Sequence, residues 1–475
     1  MNALYDTTVN GTLTPPGAEL PRLLRAPAAG PGGLDVHVDA YGPLPSGRDV
    51  IALVDAAGLT GRGGAGFPTA RKLATVAAAG RRTVVVGNGG EGEPAAGKDL
   101  LLLHTVPHLV LDGLSLAAEA VRASDTYLYV ERGSPALPGL EAAVRERRRA
   151  GMDRRRVEIV HAPPRFLAGE ESALVNRVSG GPALPRATPP RVFERGVRGR
   201  PTLVQNVETL AQIALIARYG PAWFRALGTA AEPGTMLFSV SGAVAAPRVI
   251  EAEIGVSLPA LLGAAGGQIA RLQAVLYGGY HGGWLPAADA LAIPLANTAL
   301  RPRGVSLGAG VVVALPADAC GLAETARVAR YLADESAKQC GPCLNGLPRI
   351  ADALAVLARP HPDRRTRAWI ERWSSLVAGR GACHHPDGTV RFVRSALRVF
   401  AHEADLHEGG RCSATTRRAV LPVPAPGVPA PRDWRGPPWL AQDGPRRANS
   451  RGRSCGSTGS PATGAACAPN CCRSW

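Results

Sequence analysis

Aromatic side chains are scarce in this sequence of 475 residues: Phe, Tyr and Trp together make up 5%. No apolar run reaches the ~18 residues that a membrane-spanning helix needs. The first twenty residues, MNALYDTTVNGTLTPPGAEL, lack the charged region and apolar core of a signal peptide. The expectation is a cytoplasmic chain with no transmembrane segment of its own, reaching the inner face of a membrane only through partners. No basic helix with interleaved aromatics is present, which argues against nucleic-acid binding. Lysine is scarce beside arginine, as a GC-rich coding bias produces, so a single Arg carries little weight. The net charge of +16 is partly a tail effect, since the residues from Ser413 onward hold nine Arg against two Asp. The remaining basicity suits an acidic partner or a phosphate-bearing ligand.

What is present is enough apolar material for a real core, 45% of the chain, and a length that suits two to four domains. There are nine cysteines. In a reducing compartment, clustered cysteines point to metal rather than to disulfides.

Residues 1–44 are rich in Pro and Gly and read as an N-terminal arm. Short apolar runs follow, at Thr83–Val86, in DTYLYVERG and in RVEIVHAP. They alternate with helical stretches such as GLEAAVRERRRAG, a pattern that predicts a parallel wound sheet in an α/β domain over 45–230. Ligands bind such sheets at the carboxyl ends of the strands, where Gly87–Glu93 falls. Residues 231–300 have the texture of a compact α+β module. In the segment assigned to 301–412, Leu322, Ala326, Ala329 and Leu332 mark one helix face, and short helices follow as in a bundle. Residues 413–475 lack periodicity and read as a disordered basic tail; its Cys455, Cys467, Cys471 and Cys472 have no structural context.

The stretch GLTGRGGAGFPTARK places five glycines among the nine residues Gly58–Gly66. Gly61, Gly63, Gly64 and Gly66 can turn backbone N–H groups toward an anion that approaches closely. Arg62 and Lys72 flank the loop with charge suited to phosphate. A second loop, GNGGEGEP, carries Asn88, which can both donate and accept to a ring edge, with Glu91 and Glu93. The bland alternative is a glycine turn packed on a helix.

Four stretches, GLTGRGGAGFPTARK, GNGGEGEPAAGKDLLLLHTVPH, FLAGEESALVNRVSG and GRPTLVQNVETLA, occur in order. On them the chain resembles the family of NADH- and FMN-binding flavoprotein subunits of respiratory complex I, also found in NAD-reducing hydrogenases and formate dehydrogenases, from about residue 45 to Cys412. The resemblance implies a Rossmann-like FMN-binding domain, a ubiquitin-like β-grasp (SLBB) domain carrying YGGYHGGWL over 231–300, and a helical iron–sulfur bundle over 301–412. It implies FMN held by Gly61, Arg62, Gly63, Gly64, Lys72, Asn88, Glu91, Gly169, Glu170, Glu171 and Asn206. Phe67 would receive the adenine of NADH or NADPH, and Glu93 and Glu171 would order the nicotinamide nucleotide at the reacting end. The implied activity is an NADH dehydrogenase (quinone)-type flavoprotein oxidoreductase, with other redox subunits as partners. Competing readings are an FMN-containing relay that does not bind NADH, and a non-catalytic β-grasp scaffold with decayed cofactor sites.

The pattern is broken in places. Gly90 stands where the family carries aspartate, and Gln205-Asn206 where it carries Asn-Asn. Two aromatics that would stack on adenine align with Thr75 and Arg191. The cluster motif Glu-Ser-Cys-Gly-x-Cys-x-Pro-Cys reads ESAKQCGPC here. Cys340, Cys343 and the more distant Cys383 match ligands, and Ala337 replaces the first. Three thiolates suit a three-iron (3Fe-4S) cluster, a four-iron (4Fe-4S) one completed by water, Ser336, His384 or His385, or a zinc ion with one His. Cys412 matches a family position outside the ligand set, and Cys320 reads as an ordinary buried cysteine. His104 and His108 read as core or surface residues, and His281 as a turn residue.

Overall fold

A computed structural model describes residues 19–25, 32–45, 47–80, 82–416 and 418–424. Residues 1–18 of the expected arm, and 425–475 of the expected tail with its four cysteines, lie outside the described residues.

Four parallel strands form the first sheet: β1 (Thr83–Gly89), β2 (Ala123–Glu131), β3 (Val157–Ala162) and β4 (Thr202–Asn206), in the order β3-β2-β1-β4. Alternation along the strands buries both faces. Val85, Leu128, Val130 and Leu203 face the helices Pro107–Ala120 and Val207–Arg225. Val84, Val86, Tyr127 and Tyr129 face the helix Glu171–Val178. The chain runs outward from β1 to β3, then returns to place β4 on the other side of β1. Strand order therefore reverses between β1 and β4, and a crevice opens at their carboxyl ends. Asn88 and Asn206 pair in register there, one residue before the end of β1 and at the end of β4.

The second sheet contains β5 (Thr235–Gly242), β6 (Arg248–Glu253), β7 (Leu272–Tyr277), β8 (Gly283–Pro286) and β9 (Val311–Pro316), ordered β6-β5-β9-β7-β8. β9 runs parallel to β5, and the other pairings are antiparallel. β9 lies inside the segment expected to be helical. The sheet therefore continues to Pro316, past the boundary at residue 300, because β9 is the strand that joins its two halves. Val275, Tyr277 and Val312 pack on the helix Leu258–Ala264. On the opposite face Ala274, Leu276, Trp284, Val311 and Val313 share a core with the helices Gly321–Asp334, Leu347–Leu357, Thr366–Val377 and His385–Val399.

Both flanking segments are docked where they are described. Leu23 is buried, and the Arg22 and Leu23 N–H groups both donate to Glu251 Oε2 at 2.8 Å. Leu421, inside the stretch expected to be disordered, is buried, with its N–H 2.8 Å from Glu324 Oε2. That finding corrects the expectation for residues 413–416 and 418–424. The expected core reading of His108 matches its place: it is buried and 3.1 Å from Glu146. Among the described residues no single helix is long and apolar enough to cross a membrane.

Candidate functional site at the crevice between the first and fourth strands

The glycine loop is closed at its neck by Gly61 N–H to Phe67 O and Thr69 N–H to Leu59 O, both 2.9 Å. Gly64 has φ +119°, a conformation L side chains rarely adopt, and a Cβ there would meet nothing within 4 Å. The loop thus presents bare backbone to open space, as an anion cradle requires. At Gly63 a Cβ would stand 3.0 Å from Asn206 Cβ, so the loop lies directly on the end of β4.

Across the crevice, Asn88 Nδ2 donates to Gly169 O at 2.9 Å, and Asn88 Oδ1 accepts from Gly90 N–H at 3.1 Å. A Cβ on Gly169 would come within 2.4 Å of Gly90 O, so these two loops approach backbone to backbone. Glu170 caps the next helix, accepting from Ser172 N–H at 3.1 Å and Ala173 N–H at 2.9 Å. Beside it Glu171 pairs with Lys72 Nζ at 2.5 Å, both partly exposed. The structure therefore gathers the glycine loop, Lys72, Asn88, Gly169, Glu170, Glu171 and Asn206 at one sheet edge.

Phe67 is 46% exposed, a large open aromatic beside the loop, with the Arg71 guanidinium 5.8 Å from its ring centroid. Thr75 is exposed on the same helix. Arg191 is exposed, and its N–H donates to Glu194 Oε2 at 2.8 Å. Arg62 departs from its expected role as a charge on the open side of the loop. Its side chain is buried, with Nη1 2.8 Å from Thr60 Oγ1 and Nη2 3.4 Å from Pro233 O. Its N–H is held by Thr209 Oγ1 at 2.9 Å. The guanidinium anchors the loop from behind, and burial lowers its pKa.

Behind the crevice sits a charged network that sequence reading missed. Lys98, buried, lies 2.6 Å from Asp99 Oδ1, 3.0 Å from Glu208 Oε2 and 3.2 Å from Asn206 Oδ1. Asn206 Nδ2 donates to Asp99 Oδ2 at 2.7 Å. Glu208 accepts from Leu237 N–H at 2.9 Å, which ties the network to β5. Glu91 accepts from the N–H groups of Asp99 and Leu100, both at 3.2 Å, at the start of the helix Lys98–Thr105. Burial, then the Asp99 carboxylate, push the Glu91 carboxyl up to about 8. A signal existed, because Lys98 is one of only three lysines in the chain.

Glu93 reaches the second sheet, accepting from Tyr280 N–H at 2.8 Å in the turn after β7. A cavity of about 660 Å3 opens beside Glu91 and Glu93, with Tyr331 and Pro422 also on its wall. Burial raises the Glu93 carboxyl from 4.5 to about 7. A carboxyl whose folded pKa is raised favours the fold while protonated. That contribution is full below about 4.5 and is lost as pH rises through about 7. Glu93→Gln keeps the acceptor for Tyr280 and should flatten the fall in melting temperature across this window. An unchanged slope in thermal melts from pH 4 to 8 would show that Glu93 does not titrate there.

The cysteine group lies at the turn into the C-terminal helices. Cys340 Sγ and Cys343 Sγ are 3.6 Å apart, with Cys343 2% exposed. Burial, then the neighbouring Cys340, push the Cys343 thiol up to about 12, and burial also raises Cys383. Ala337 offers no ligand atom. Lys338 has φ +54° where the family motif carries glycine. The buried Ser336 hydroxyl has no hydrogen-bond partner among the described residues. His385 does not serve as an added ligand in this arrangement. Its Nε2 donates to Leu332 O at 2.8 Å, and its Nδ1 accepts from His281 Nε2 at 3.0 Å. The His384 side chain is 95% exposed.

Residues 54–215 match the family described as the Nuo51 FMN-binding domain, and residues 323–407 match the NADH-ubiquinone oxidoreductase-F iron-sulfur binding region. The NADH-quinone oxidoreductase F subunit of Mycobacterium tuberculosis is 34% identical over 395 residues, 78% of this chain and 88% of that one. The second NADH-quinone oxidoreductase F subunit of Rhizobium meliloti is 31% identical over 380 residues, covering 77% and 90%. Among solved structures, an NAD+-reducing [NiFe]-hydrogenase in the H2-reduced state aligns with TM-score 0.69 at 32% identity, over 78% of this chain. The match spans 63% of that hydrogenase chain's length. The air-oxidized form aligns with TM-score 0.73 at 31% identity, over 87% of this chain and 70% of the other. With this identity, coverage and order of domains, the chain belongs to the family of NADH- and FMN-binding flavoprotein subunits of respiratory complex I.

Proposed function

We propose that this chain is the NADH-oxidising flavoprotein component of a multi-subunit redox complex. The observation that carries the reading is the meeting of bare loop backbone at Gly64, the Lys72–Glu171 pair and the Asn88–Gly169 contact at one sheet edge. FMN, when bound, would supply the chemistry of hydride acceptance from NADH and of single-electron release toward an iron–sulfur cluster. The residues present fit it. The loop N–H groups and the Lys72 cation suit its phosphate, and Asn88 and Asn206 sit at the strand ends beside the loop.

The chain's own work is positioning. Glu170 and Asn206 hold two helix starts, and Glu91 holds a third, so three helix ends around the crevice have their N–H groups satisfied by side chains. Glu171 is half exposed beside Lys72 and is available to ribose hydroxyls. Glu93 is held against the second sheet. Cys340, Cys343 and Cys383 would supply three thiolates for a cluster, and Ala337 leaves the fourth cysteine position of the motif empty.

The domain reading is part of the proposal. The order β6-β5-β9-β7-β8, with a parallel central pair, supports a β-grasp module reaching to Pro316. The helices from Gly321 onward support an iron–sulfur bundle. The direct test is anaerobic purification with a spectrum and an iron count. Flavin absorbance that bleaches on adding NADH supports the reading, and a colourless chain that refuses micromolar FMN overturns it.

Only Phe67 remains as an adenine platform. Thr75→Phe should tighten NADH binding roughly 5- to 150-fold, the equivalent of about 1–3 kcal/mol per stacked base. Anaerobic titration of the flavin band measures this. No change in affinity would place the adenine away from the helix Thr69–Ala77.

A further inference from the structure

A second group of side chains of the metal-ligating type shares no residue with Cys340, Cys343 and Cys383. Cys320 stands at the N-cap of the helix Gly321–Asp334, and its Sγ accepts from Ala323 N–H at 3.3 Å. Glu403 and His407 lie one turn apart on the helix Ala401–Glu408, and Cys412 follows on the next loop. One ligand atom from each of the four lies within 4.8 Å of all the others. His407 Nε2 is 3.7 Å from Cys320 Sγ and 3.0 Å from Glu403 Oε1.

The histidine carries the argument. Its Nδ1 is 2.8 Å from Leu357 O. A carbonyl only accepts, so Nδ1 holds a proton, and in the neutral ring Nε2 then presents a lone pair to a carboxylate. Two acceptors 3.0 Å apart need a proton or a cation between them. Two adjacent thiols favour a soft cation over a proton. A backbone carbonyl on the far nitrogen is the support that metal-bound histidines usually have. Glu403 has similar support, accepting from Ser413 N–H at 3.0 Å and from the Ser413 hydroxyl. In a tetrahedron with bonds of about 2.0–2.3 Å, ligand atoms stand about 3.3–3.8 Å apart, close to the spacing here. Cys320, Glu403 and His407 are buried, while Cys412 is exposed and gives a path of entry.

We propose that Cys320, Glu403, His407 and Cys412 form a closed, structural Zn2+ site. It clips the segment after the last helix onto the start of the helix Gly321–Asp334. The Cys320 and Cys412 thiolates, the neutral His407 imidazole and the Glu403 carboxylate fill four positions, which leaves none for a reactant. Two thiol protons are released on binding, and no electron moves. The segment it secures is the one that carries Leu421 to Glu324 and Pro422 to Tyr280.

The test uses the full, tag-free chain, reduced and incubated with Zn2+ under anaerobic conditions, then gel-filtered for metal analysis. About one zinc per chain is expected to remain, as for other closed sites with this donor set. Cys412→Ser, a change at an exposed position, should cut retained zinc at least about tenfold, since it removes one of four ligands. Iron and flavin content should be unchanged in that variant, which separates this site from the cofactor sites. Glu403→Gln should weaken retention while leaving all thiols in place. X-ray absorption at the zinc edge should show two sulfur and two nitrogen or oxygen neighbours. The proposal is overturned if the wild-type chain retains no zinc. It is equally overturned if Cys412→Ser retains it in full, or if thiol titration of freshly isolated protein finds Cys320 and Cys412 joined as a disulfide.

Discussion

Replacing Lys98 by methionine is expected to lower stability by about 3–5 kcal/mol, the cost of leaving buried carboxylates without their cation. Lys98 is 1% exposed and its partners Asp99 and Glu208 are 8% and 0% exposed, so water cannot take its place. Burial by itself would lower the lysine pKa, but Asp99, Glu208 and Glu91 raise it overall. Methionine keeps most of the apolar length of the side chain and removes the charge together with its donors to Asp99 and Asn206. The deficit should shrink in acid, where Glu208 and Glu91, both with raised pKa values, become neutral. The double variant Lys98→Met/Glu208→Gln should recover part of the loss, since the amide still accepts from Leu237 N–H. Denaturant and thermal melts at pH 5 and pH 8 measure this. A loss under about 1 kcal/mol, typical of solvated pairs, would mean that the network is wet. Because Asn206 and Glu91 belong to the same network, flavin retention should fall with stability.

The second large effect is a gain. On the three-iron reading of the cluster, Ala337→Cys should raise iron from about three to about four atoms per chain, because four thiolates complete the usual ligand set of a four-iron cluster. Lys338, next to the substituted position, takes φ +54° where the motif has glycine, a residue that adopts this conformation freely. The new thiol enters at the position from which the first ligand is missing. Lys338→Gly is the control. It relieves roughly 1 kcal/mol of left-handed strain and should leave the iron count unchanged. Electron paramagnetic resonance of oxidised samples gives the second readout, since a three-iron signal in the parent should vanish in Ala337→Cys. An iron count that does not move would place the fourth corner elsewhere, with the Ser336 hydroxyl, unpartnered among the described residues, as the first candidate.

Much of the crevice could be read from sequence because its signals are local. The run Thr83–Val86 identified the strand that became β1, and glycine spacing identified the loop above it. β4 was overlooked because five residues, TLVQN, are too short to show a period and pass directly into a helix. β9 was placed in a helical segment because VVVALP carries no alternation, being buried on both faces. Arg62 misled because a flanking charge resembles a ligand until its partners, Thr60 and Pro233, are known. The network of Lys98, Asp99 and Glu208 was invisible because Glu208 lies about a hundred positions from the other two. Lysine usage is telling in retrospect. In a chain that favours arginine, all three lysines sit at these sites: Lys72 by the loop, Lys98 beneath it and Lys338 in the cluster motif.

The placement of β9 has a consequence for synthesis. As the chain leaves the ribosome, the hairpin of β5 and β6 emerges early, but β5 cannot gain its inner neighbour until Val311 has been made. Until then β5 is an open apolar edge, the kind of surface that pairs with the wrong chain. The first sheet is complete well before that, and Glu208 already holds Leu237 at one point along β5. Early parts of the protein therefore act as a template on which the later half is laid, and truncations ending before Pro316 should aggregate rather than fold.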